Sequence, residues 1–157
     1  MGVHHKILVC GIGNKLKKDD GIGPYVAEQL AQRSMPSNVS VSDFGTSGFK
    51  TALEIGQYDK VIFVDAIQRG NEPGHVHRAT LSKEDFKGSP SLSSCVVSFH
   101  ESDLKKILST AVRINTYPKQ VIVLGCEPKD LSFGMGLSPE VQKAVDKIID
   151  LILAEIA

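Results

Sequence analysis

The chain has 157 residues, of which 41% are hydrophobic, and its 18 lysines and arginines balance its 18 aspartates and glutamates. This length suits one domain with its own core, so we expect a single domain over residues 1–157. The zero formal net charge argues against nucleic acid or an anionic membrane surface as a partner. No apolar run approaches the roughly 18 residues of a membrane-spanning helix. Because no large apolar surface stripe is evident, we expect a monomer.

The cysteines and the N-terminus bear on the cellular compartment. Cys10, Cys95 and Cys126 are far apart, odd in number and without a C-x-x-C pair. Such cysteines are typical of small buried hydrophobic residues in a reducing environment. The N-terminus runs straight into an apolar segment and shows no signal-peptide pattern. We therefore expect a cytoplasmic protein.

Apolar segments predict four strands, and three of them are near-continuous apolar runs, as expected for parallel strands that are covered on both faces. In chain order, the predicted strands cover residues 6–10, 39–44, 61–65 and 121–125. The segment 39–44 alternates between apolar and polar residues, which indicates an edge strand. A weaker pattern between residues 70 and 90 contains a short extra strand at 74–81 and a helical turn at 82–86.

Amphipathic helices fall between these strands. The predicted helices cover about residues 24–33, 49–55 and 102–112, and a last one begins at Ser138-Pro139-Glu140. Serine followed by proline is a typical helix start. By the same rule, Pro24 is expected at the first position of its helix, with Gly23 as the cap. The alternation of strand and helix predicts an α/β three-layer sandwich, with a mostly parallel, doubly wound five-stranded sheet flanked by helices on both faces.

The loop after the first strand, residues 11–23, is rich in glycine and carries the adjacent carboxylates Asp19 and Asp20. It is not a dinucleotide fingerprint, because Leu16 stands at the third glycine position, and it lacks the G-K-S/T of a P-loop. Two carboxylates would also repel a pyrophosphate. Adjacent loop residues point in different directions, so only one carboxylate is expected to enter a crevice. We interpret the loop as one that receives a cation.

Asp65 and His100 are the other candidate site residues. Asp65 ends a buried strand, where a carboxylate is costly unless it is paired or bound to a metal. If the strand order begins 2-1-3, the strand order reverses between the first and third strands. Asp65 and the acidic loop would then face one crevice at the carboxyl ends of these two strands. His100 precedes the third helix and would add an imidazole nitrogen. Two carboxylates and one imidazole suit a divalent ion such as Zn²⁺ or Ni²⁺, either resident or visiting.

Other polar residues have simpler interpretations. His75 and His77 alternate in a weak strand, without an acidic or thiol partner at a fixed spacing, and are expected on a solvated face. The glycines at 45 and 48 predict a turn. Ser47 and Cys95 lie in plausible loops but have no histidine at a recognisable spacing, so neither is a convincing nucleophile.

Several short motifs occur in a specific order along nearly the whole chain. They are G-x-G-N-x-L-x-x-D-D-G-x-G at 11–23, G-T-S-G at 45–48, V-D-A and E-P-G within 64–74, a histidine before an amphipathic helix, G-C-E-P at 125–128 and G-L-S-P-E-V at 136–141. Any one of them is weak, but the combination resembles the [NiFe]-hydrogenase maturation endopeptidases.

The resemblance implies an endopeptidase that removes the C-terminal extension from the precursor of the hydrogenase large subunit once nickel is in place. It implies catalytic and metal-contacting roles for Asp20, Asp65 and His100. It also implies that the ion is nickel carried by the substrate and used as a recognition handle, so that the protein is largely metal-free at rest. Another divalent metal such as zinc is the alternative.

Two mechanisms are compatible with this resemblance. In the first, nickel held between substrate cysteines and the three residues positions the scissile bond, and a carboxylate or a metal-polarised water attacks it. In the second, Asp20 and Asp65 act as a pair similar to that of an aspartic protease. We prefer the first because His100 has no role in the second. A non-catalytic, nickel-sensing escort of the precursor and a zinc-dependent small-molecule hydrolase are the alternative functions.

Overall fold

The computed structural model describes residues 5–45, 48–86 and 103–157. Five strands form one sheet in the order β2-β1-β3-β5-β4. Their bounds are β1 Ile7–Ile12, β2 Val39–Gly45, β3 Lys60–Ala66, β4 Val76–Leu81 and β5 Gln120–Cys126. The first, second, third and fifth strands run parallel, and β4 pairs with β5 in the antiparallel direction. The predicted edge position of the second strand and the short extra strand are both confirmed.

In the described ranges, four helices cover the two faces of the sheet. They are α1 Ile22–Ala31, α2 Gly48–Glu54, α3 Asp103–Arg113 and α4 Pro139–Ile156. Short 3₁₀ turns cover Lys18–Gly21, Ile55–Gln57 and Lys83–Phe86. The start of α4 follows the prediction, with Ser138 as N-cap and proline in the first turn. The predicted three-layer α/β sandwich is therefore confirmed.

The sheet separates two apolar layers of the core. On one face, side chains of β1, β3 and β5 form a cluster with those of α1 and α4, which includes Val9, Ile22 and Ile148. On the other face, Phe63 of β3 packs in a cluster with Ala52 of α2 and Leu104 of α3. Since successive strand residues point to opposite faces, the near-continuous apolar runs follow directly from this double coverage.

The start of α1 differs from the prediction. The helix begins at Ile22 with Gly21 as its N-cap, so Pro24 is the third helical residue and Gly23 lies inside the helix. Proline is tolerated here because the first N–H groups of a helix have no intrahelical acceptor. The 3₁₀ turn that contains Asp19 and Asp20 leads directly into the helix. Both carboxylates consequently lie closer to the helix start than the sequence indicated.

The order of the strands places β1 between β2 and β3, so the condition on which Asp65 and the acidic loop were expected to lie at one edge of the sheet is met. Chain connections diverge on either side of β1, and the carboxyl ends of β1 and β3 meet at this reversal point. None of the helices in the described ranges is long and apolar enough to cross a lipid bilayer.

Candidate functional site

The acidic loop and the first turn of α1 rest directly on the carboxyl ends of β1 and β3. A Cβ atom added to Gly23 would overlap the carbonyl oxygens of Ile12 and Val64. Only a residue without a side chain permits this approach, which explains a glycine in the middle of a helical turn. The close contact brings the segment with Asp19 and Asp20 to the end of β3, where Asp65 stands.

Asp19 is fully buried and acts as a structural anchor. Its carboxylate accepts hydrogen bonds from the N–H groups of Lys129 at 2.8 Å, Asp130 at 2.9 Å and Ser138 at 2.7 Å. The Ser138 hydroxyl donates a fourth at 2.9 Å. Burial acts to raise the pKa of Asp19, but the hydrogen bonds from Ser138, Asp130 and Lys129 outweigh it and hold the pKa below its ordinary value. Asp19 thus ties the acidic loop to the chain that follows β5.

Asp20 points elsewhere, as expected for adjacent loop residues. Its side chain is partly exposed, and its Oδ2 accepts a hydrogen bond from the N–H of Asn14 at 2.8 Å. Its negative charge also acts on Asp65, whose pKa it raises. Asp20 is therefore the carboxylate of this loop that faces the crevice at the end of β3.

Asp65 is 5% exposed at the end of β3. Burial is the largest cause that raises the pKa of Asp65 well above its ordinary value, and the charge of Asp20 adds to it. The N–H of Ala66 donates to Oδ1 at 2.8 Å and lowers the pKa, while the charge of Asp103 raises it. Asp20 and Asp65, the predicted pair, are thus close enough for the charge of one to act on the other.

The negative charge of Asp20 beside the buried Asp65 disfavours the ionised form of Asp65. A proton on Asp65 or a bound cation would each relieve this repulsion. A proton would make the pair suitable for acid–base chemistry, and a cation would make it an oxygen-rich side of a metal site. Within the described residues no group of three or more metal-binding side chains is already clustered.

His100, the third predicted site residue, lies outside the described residues, as do Ser47 and Cys95. The start of α3 is nevertheless close to the crevice, because the charge of Asp103 reaches Asp65. The role of His100 stays a prediction from the sequence.

The expectation of a solvated face is wrong for His77. His75 is exposed, but both ring nitrogens of His77 are buried and have no hydrogen-bond partner in the described part of the chain. Burial and the positive charges of Arg69 and His75 lower the pKa of His77, against the opposing charge of Glu127. The alternating pattern predicted the strand correctly but could not show that a neighbouring strand carries a glycine beside this ring.

Glu127 is a buried carboxylate that sequence reasoning treated only as part of a turn. It follows β5 and is 5% exposed. Its Oε1 accepts hydrogen bonds from the N–H groups of Arg69 at 2.8 Å and Asn71 at 3.0 Å. A carboxylate after an apolar strand was the signal that identified Asp65, and the same signal was present here. Glu127 fixes the loop that follows β3.

Three large apolar side chains in or beside the acidic loop are exposed to solvent. Phe133 is 83% exposed, Met135 is 68% exposed and Leu16 is 59% exposed. Their two segments are joined by backbone hydrogen bonds, from the N–H of Gly134 to the Leu16 oxygen at 2.9 Å and from the N–H of Lys18 to the Gly134 oxygen at 3.0 Å. We call Leu16, Phe133 and Met135 the apolar rim. Exposed aromatic and methionine side chains in such a cluster are typical of protein-binding surfaces.

Comparison with known proteins agrees with this architecture. A family model described as hydrogenase maturation protease (HycI) matches residues 24–155. A putative hydrogenase maturation protease of Methanocaldococcus jannaschii is 37% identical over 155 residues, which cover 96% of this chain and 96% of the relative. The hydrogenase 2 maturation protease of Escherichia coli is 32% identical over 151 residues, covering 95% and 89% of the two chains.

Solved structures show the same fold. The hydrogenase-maturating endopeptidase HybD of Escherichia coli superposes with a TM-score of 0.79 at 29% identity, covering 96% of this chain and 91% of that one. A hydrogenase 2 maturation peptidase from a Thaumarchaeota archaeon gives a TM-score of 0.75 at 34% identity, covering 96% and 97%. The similarity extends over nearly the entire length of each protein.

Proposed function

The chain belongs to the hydrogenase maturation protease family, and from this we propose that it is the endopeptidase that removes the C-terminal extension of a [NiFe]-hydrogenase large-subunit precursor after nickel insertion. Membership supports a protease, that is, a hydrolase that acts on a hydrogenase precursor. The dependence on nickel and the residues that carry the reaction are parts of the proposal.

The observation that carries the proposal is the buried carboxyl of Asp65 beside Asp20. The charge of Asp20 and the loss of solvent together raise the pKa of Asp65. A divalent cation that approaches this pair relieves the repulsion and favours the ionised form of both groups. The carboxylate pair should therefore bind a positively charged ligand more favourably than a neutral or negatively charged one.

Nickel carried by the precursor fits this requirement. We propose that Asp20, Asp65 and His100 contact this ion as part of the substrate and use it as a recognition handle. The nearest described residue to His100 is Asp103, whose charge reaches Asp65. Two carboxylates and one imidazole, without a thiolate, form a set that suits a visiting ion.

For the chemical step we favour the metal-assisted route. In this route the ion carried by the substrate would position the scissile bond, and a carboxylate or a water polarised by the metal would attack the carbonyl. The amide nitrogen would take up a proton and leave with the C-terminal peptide. In the alternative, Asp65 with its raised pKa is the acid and Asp20 is the base. The raised pKa of Asp65 suits that alternative, but only the metal-assisted route gives His100 a function. His100→Ala with full cleavage of nickel-loaded precursor would therefore favour the carboxylate pair.

A protein substrate also needs a docking surface, and the apolar rim lies next to the acidic loop. The rim belongs to the same hydrogen-bonded unit as Lys18 and Asp19. Contact with a partner protein would bury Phe133 and Met135, which are costly to leave in water. We propose that the precursor rests on this rim while its C-terminal segment enters the crevice.

The experiment is a cleavage assay with catalytic amounts of this protein and precursor with or without nickel, read by the intact mass of the precursor. The proposal predicts loss of a C-terminal peptide from the nickel-loaded form alone. Loss from both forms would reject nickel recognition. Binding without any mass loss would support the escort function, and about one zinc per purified chain with no precursor binding would support a zinc hydrolase. The exposed Asp150→Asn variant serves as a matched control for Asp20→Asn and Asp65→Asn.

A further inference from the structure

One row across the sheet connects Asp65 to His77 through a glycine. Asp65 of β3 is the register partner of Gly125 in β5, and Gly125 is the register partner of His77 in β4. Residues directly opposite one another in paired strands project from the same face. Asp65 and His77 therefore flank a position that has no side chain of its own.

The packing of the core shows to which face of the sheet Asp65 and His77 project. Phe63 lies two residues before Asp65, and Leu81 lies four residues after His77. Both belong to the cluster that packs against α2 and α3. Since strand residues separated by an even number share a face, Asp65 and His77 both point to the side of α3. That is the helix whose first described residue, Asp103, acts on the pKa of Asp65.

The imidazole of His77 fills the space over Gly125. A Cβ atom at Gly125 would overlap the His77 Nε2 and lie 2.7 Å from its Cε1, and it would also lie 2.9 Å from the Cδ1 of Ile67. Neighbouring strands are about 4.8 Å apart, so the tip of the ring lies about one strand spacing from the position of Asp65 in the row. Any larger residue at 125 would displace the ring.

The ring has hydrogen-bonding capacity that the described structure does not use. Both nitrogens of His77 are buried without a partner in the described ranges. Unpaired buried polar groups are rare in native proteins and require an explanation. The nearby Glu127 already accepts hydrogen bonds from Arg69 and Asn71 through its Oε1. A neutral imidazole offers one N–H donor and one acceptor, and burial lowers the pKa of His77, which favours this neutral form.

We propose that His77 is a positioning residue for Asp65: rotation of its ring brings an imidazole N–H to the Asp65 carboxylate and holds that group in the orientation that substrate binding needs. Carboxylates that contact metal ions are generally held by such hydrogen bonds, which orient them and favour the ionised form. The inference rests on the proposed function, because it assigns Asp65 a ligand that requires an oriented carboxylate. It extends the site to the antiparallel edge strand β4.

Four variants test the proposal in the cleavage assay. His77→Leu fills the space over Gly125 without a donor and should lower kcat by about 10–100-fold. His77→Gln retains an N–H donor and should recover most of the rate. Gly125→Ala displaces the ring and should resemble His77→Leu. The exposed neighbour His75, with its ring centroid 6.3 Å from that of His77, supplies the matched control, and His75→Ala should cleave at the wild-type rate.

A role limited to packing predicts the opposite order, with His77→Leu active and His77→Gln impaired, and that result would overturn the proposal. A second readout does not depend on cleavage. Long-range ¹H–¹⁵N NMR records the nitrogen signals of the His77 imidazole in the wild type and in the Asp65→Asn and Asp150→Asn variants. Asp65→Asn alone should shift the His77 nitrogen signals, and unchanged signals would reject the coupling. If the wild type cleaves no precursor while these signals shift, the proposed function fails and the coupling of His77 to Asp65 stands.

Discussion

Asp19 and Asp20 are adjacent in the chain but meet different surroundings. Asp19 accepts four hydrogen bonds in the interior, and Asp20 remains partly exposed at the crevice. The sequence predicted that only one of the two would enter a crevice at the strand ends, and Asp20, whose charge acts on Asp65, is the one that we propose for the site. What the sequence lacked was the location of the donors, which lie more than one hundred residues further along the chain.

Replacing Asp19 by Asn should destabilise the fold. An amide cannot accept all four hydrogen bonds, because its NH₂ group would face N–H donors of the loop after β5. We expect a loss of about 3 kcal/mol in the free energy of unfolding, given that hydrogen bonds to charged groups contribute about 1.5–3 kcal/mol each. Urea denaturation measures it. A loss in Asp19→Asn no larger than in Asp20→Asn would contradict the anchor role.

Asp65 should make the stability of the protein fall as the pH rises. Because its pKa is raised in the folded state, the folded protein holds this proton more tightly than the unfolded chain does. Its contribution is fully present below the unfolded pKa of about 4 and is lost as the pH rises through the higher folded pKa. Asp65→Asn should remove this slope and melt above the wild type at neutral pH, while cleaving at least about 100-fold more slowly.

The melting temperature of both proteins between pH 4 and 9 checks this expectation. Asp150→Asn, which changes an exposed carboxylate of α4, should follow the wild type in melting and in cleavage. Parallel curves for the wild type and Asp65→Asn would show that Asp65 is not destabilised by burial. Full cleavage by Asp65→Asn would remove it from the site.

Among the elements, the position of α1 on the sheet depends on Gly23. Gly23→Ala would force a Cβ against the backbone of β1 and β3 and push the helix away from the strand ends. We expect a loss of about 2 kcal/mol or more in stability together with a loss of cleavage, since overpacking costs about 1–3 kcal/mol. Gly48→Ala, in α2, meets open space and should be neutral or stabilising by up to about 1 kcal/mol. Urea denaturation of the two variants compares them, and equal effects would contradict the close approach.

The elements themselves were largely predictable from the sequence. The apolar runs of β1, β3 and β5 are long because both faces of these strands are buried, and the alternation of β2 marked it as an edge strand. The start of α1 was misplaced because Pro24 is compatible with any position in the first helical turn. The local sequence pattern therefore predicted that α1 exists but not the residue at which it begins.

The site was predictable only in part, for a physical reason. Asp65 was proposed because a carboxylate at the end of a buried strand has a local signature, and Asp20 because the opening motif resembles that of the family. His77 and Glu127 were missed because their environment depends on register and on loops that are distant in sequence. Whether a ring lies in water or over Gly125 is decided by the pairing of β4 with β5, which no local pattern reveals.

Considered as a whole, the molecule places its apolar rim and its acidic crevice side by side. Phe133→Ser should raise the KM for the precursor by about tenfold, because an exposed aromatic residue that a partner buries can contribute more than about 1 kcal/mol to binding. Stability should change by no more than about 0.5 kcal/mol. Phe49→Ser, at a similarly exposed aromatic residue of α2, is the control. Cleavage kinetics at several precursor concentrations separate KM from kcat, and an unchanged KM would exclude the rim as the docking surface.

The anchor formed by Asp19 also determines when the crevice can take shape during synthesis. Its hydrogen bonds to Ser138 join residues 119 positions apart. The acidic loop emerges from the ribosome early, but its final geometry requires Ser138 at the start of α4, which is made more than one hundred residues later. Asp19, and with it the neighbouring Asp20, is consequently held in this position only after Ser138 has been synthesised. Chains that end before Ser138 therefore lack the anchor that holds the acidic loop in this geometry.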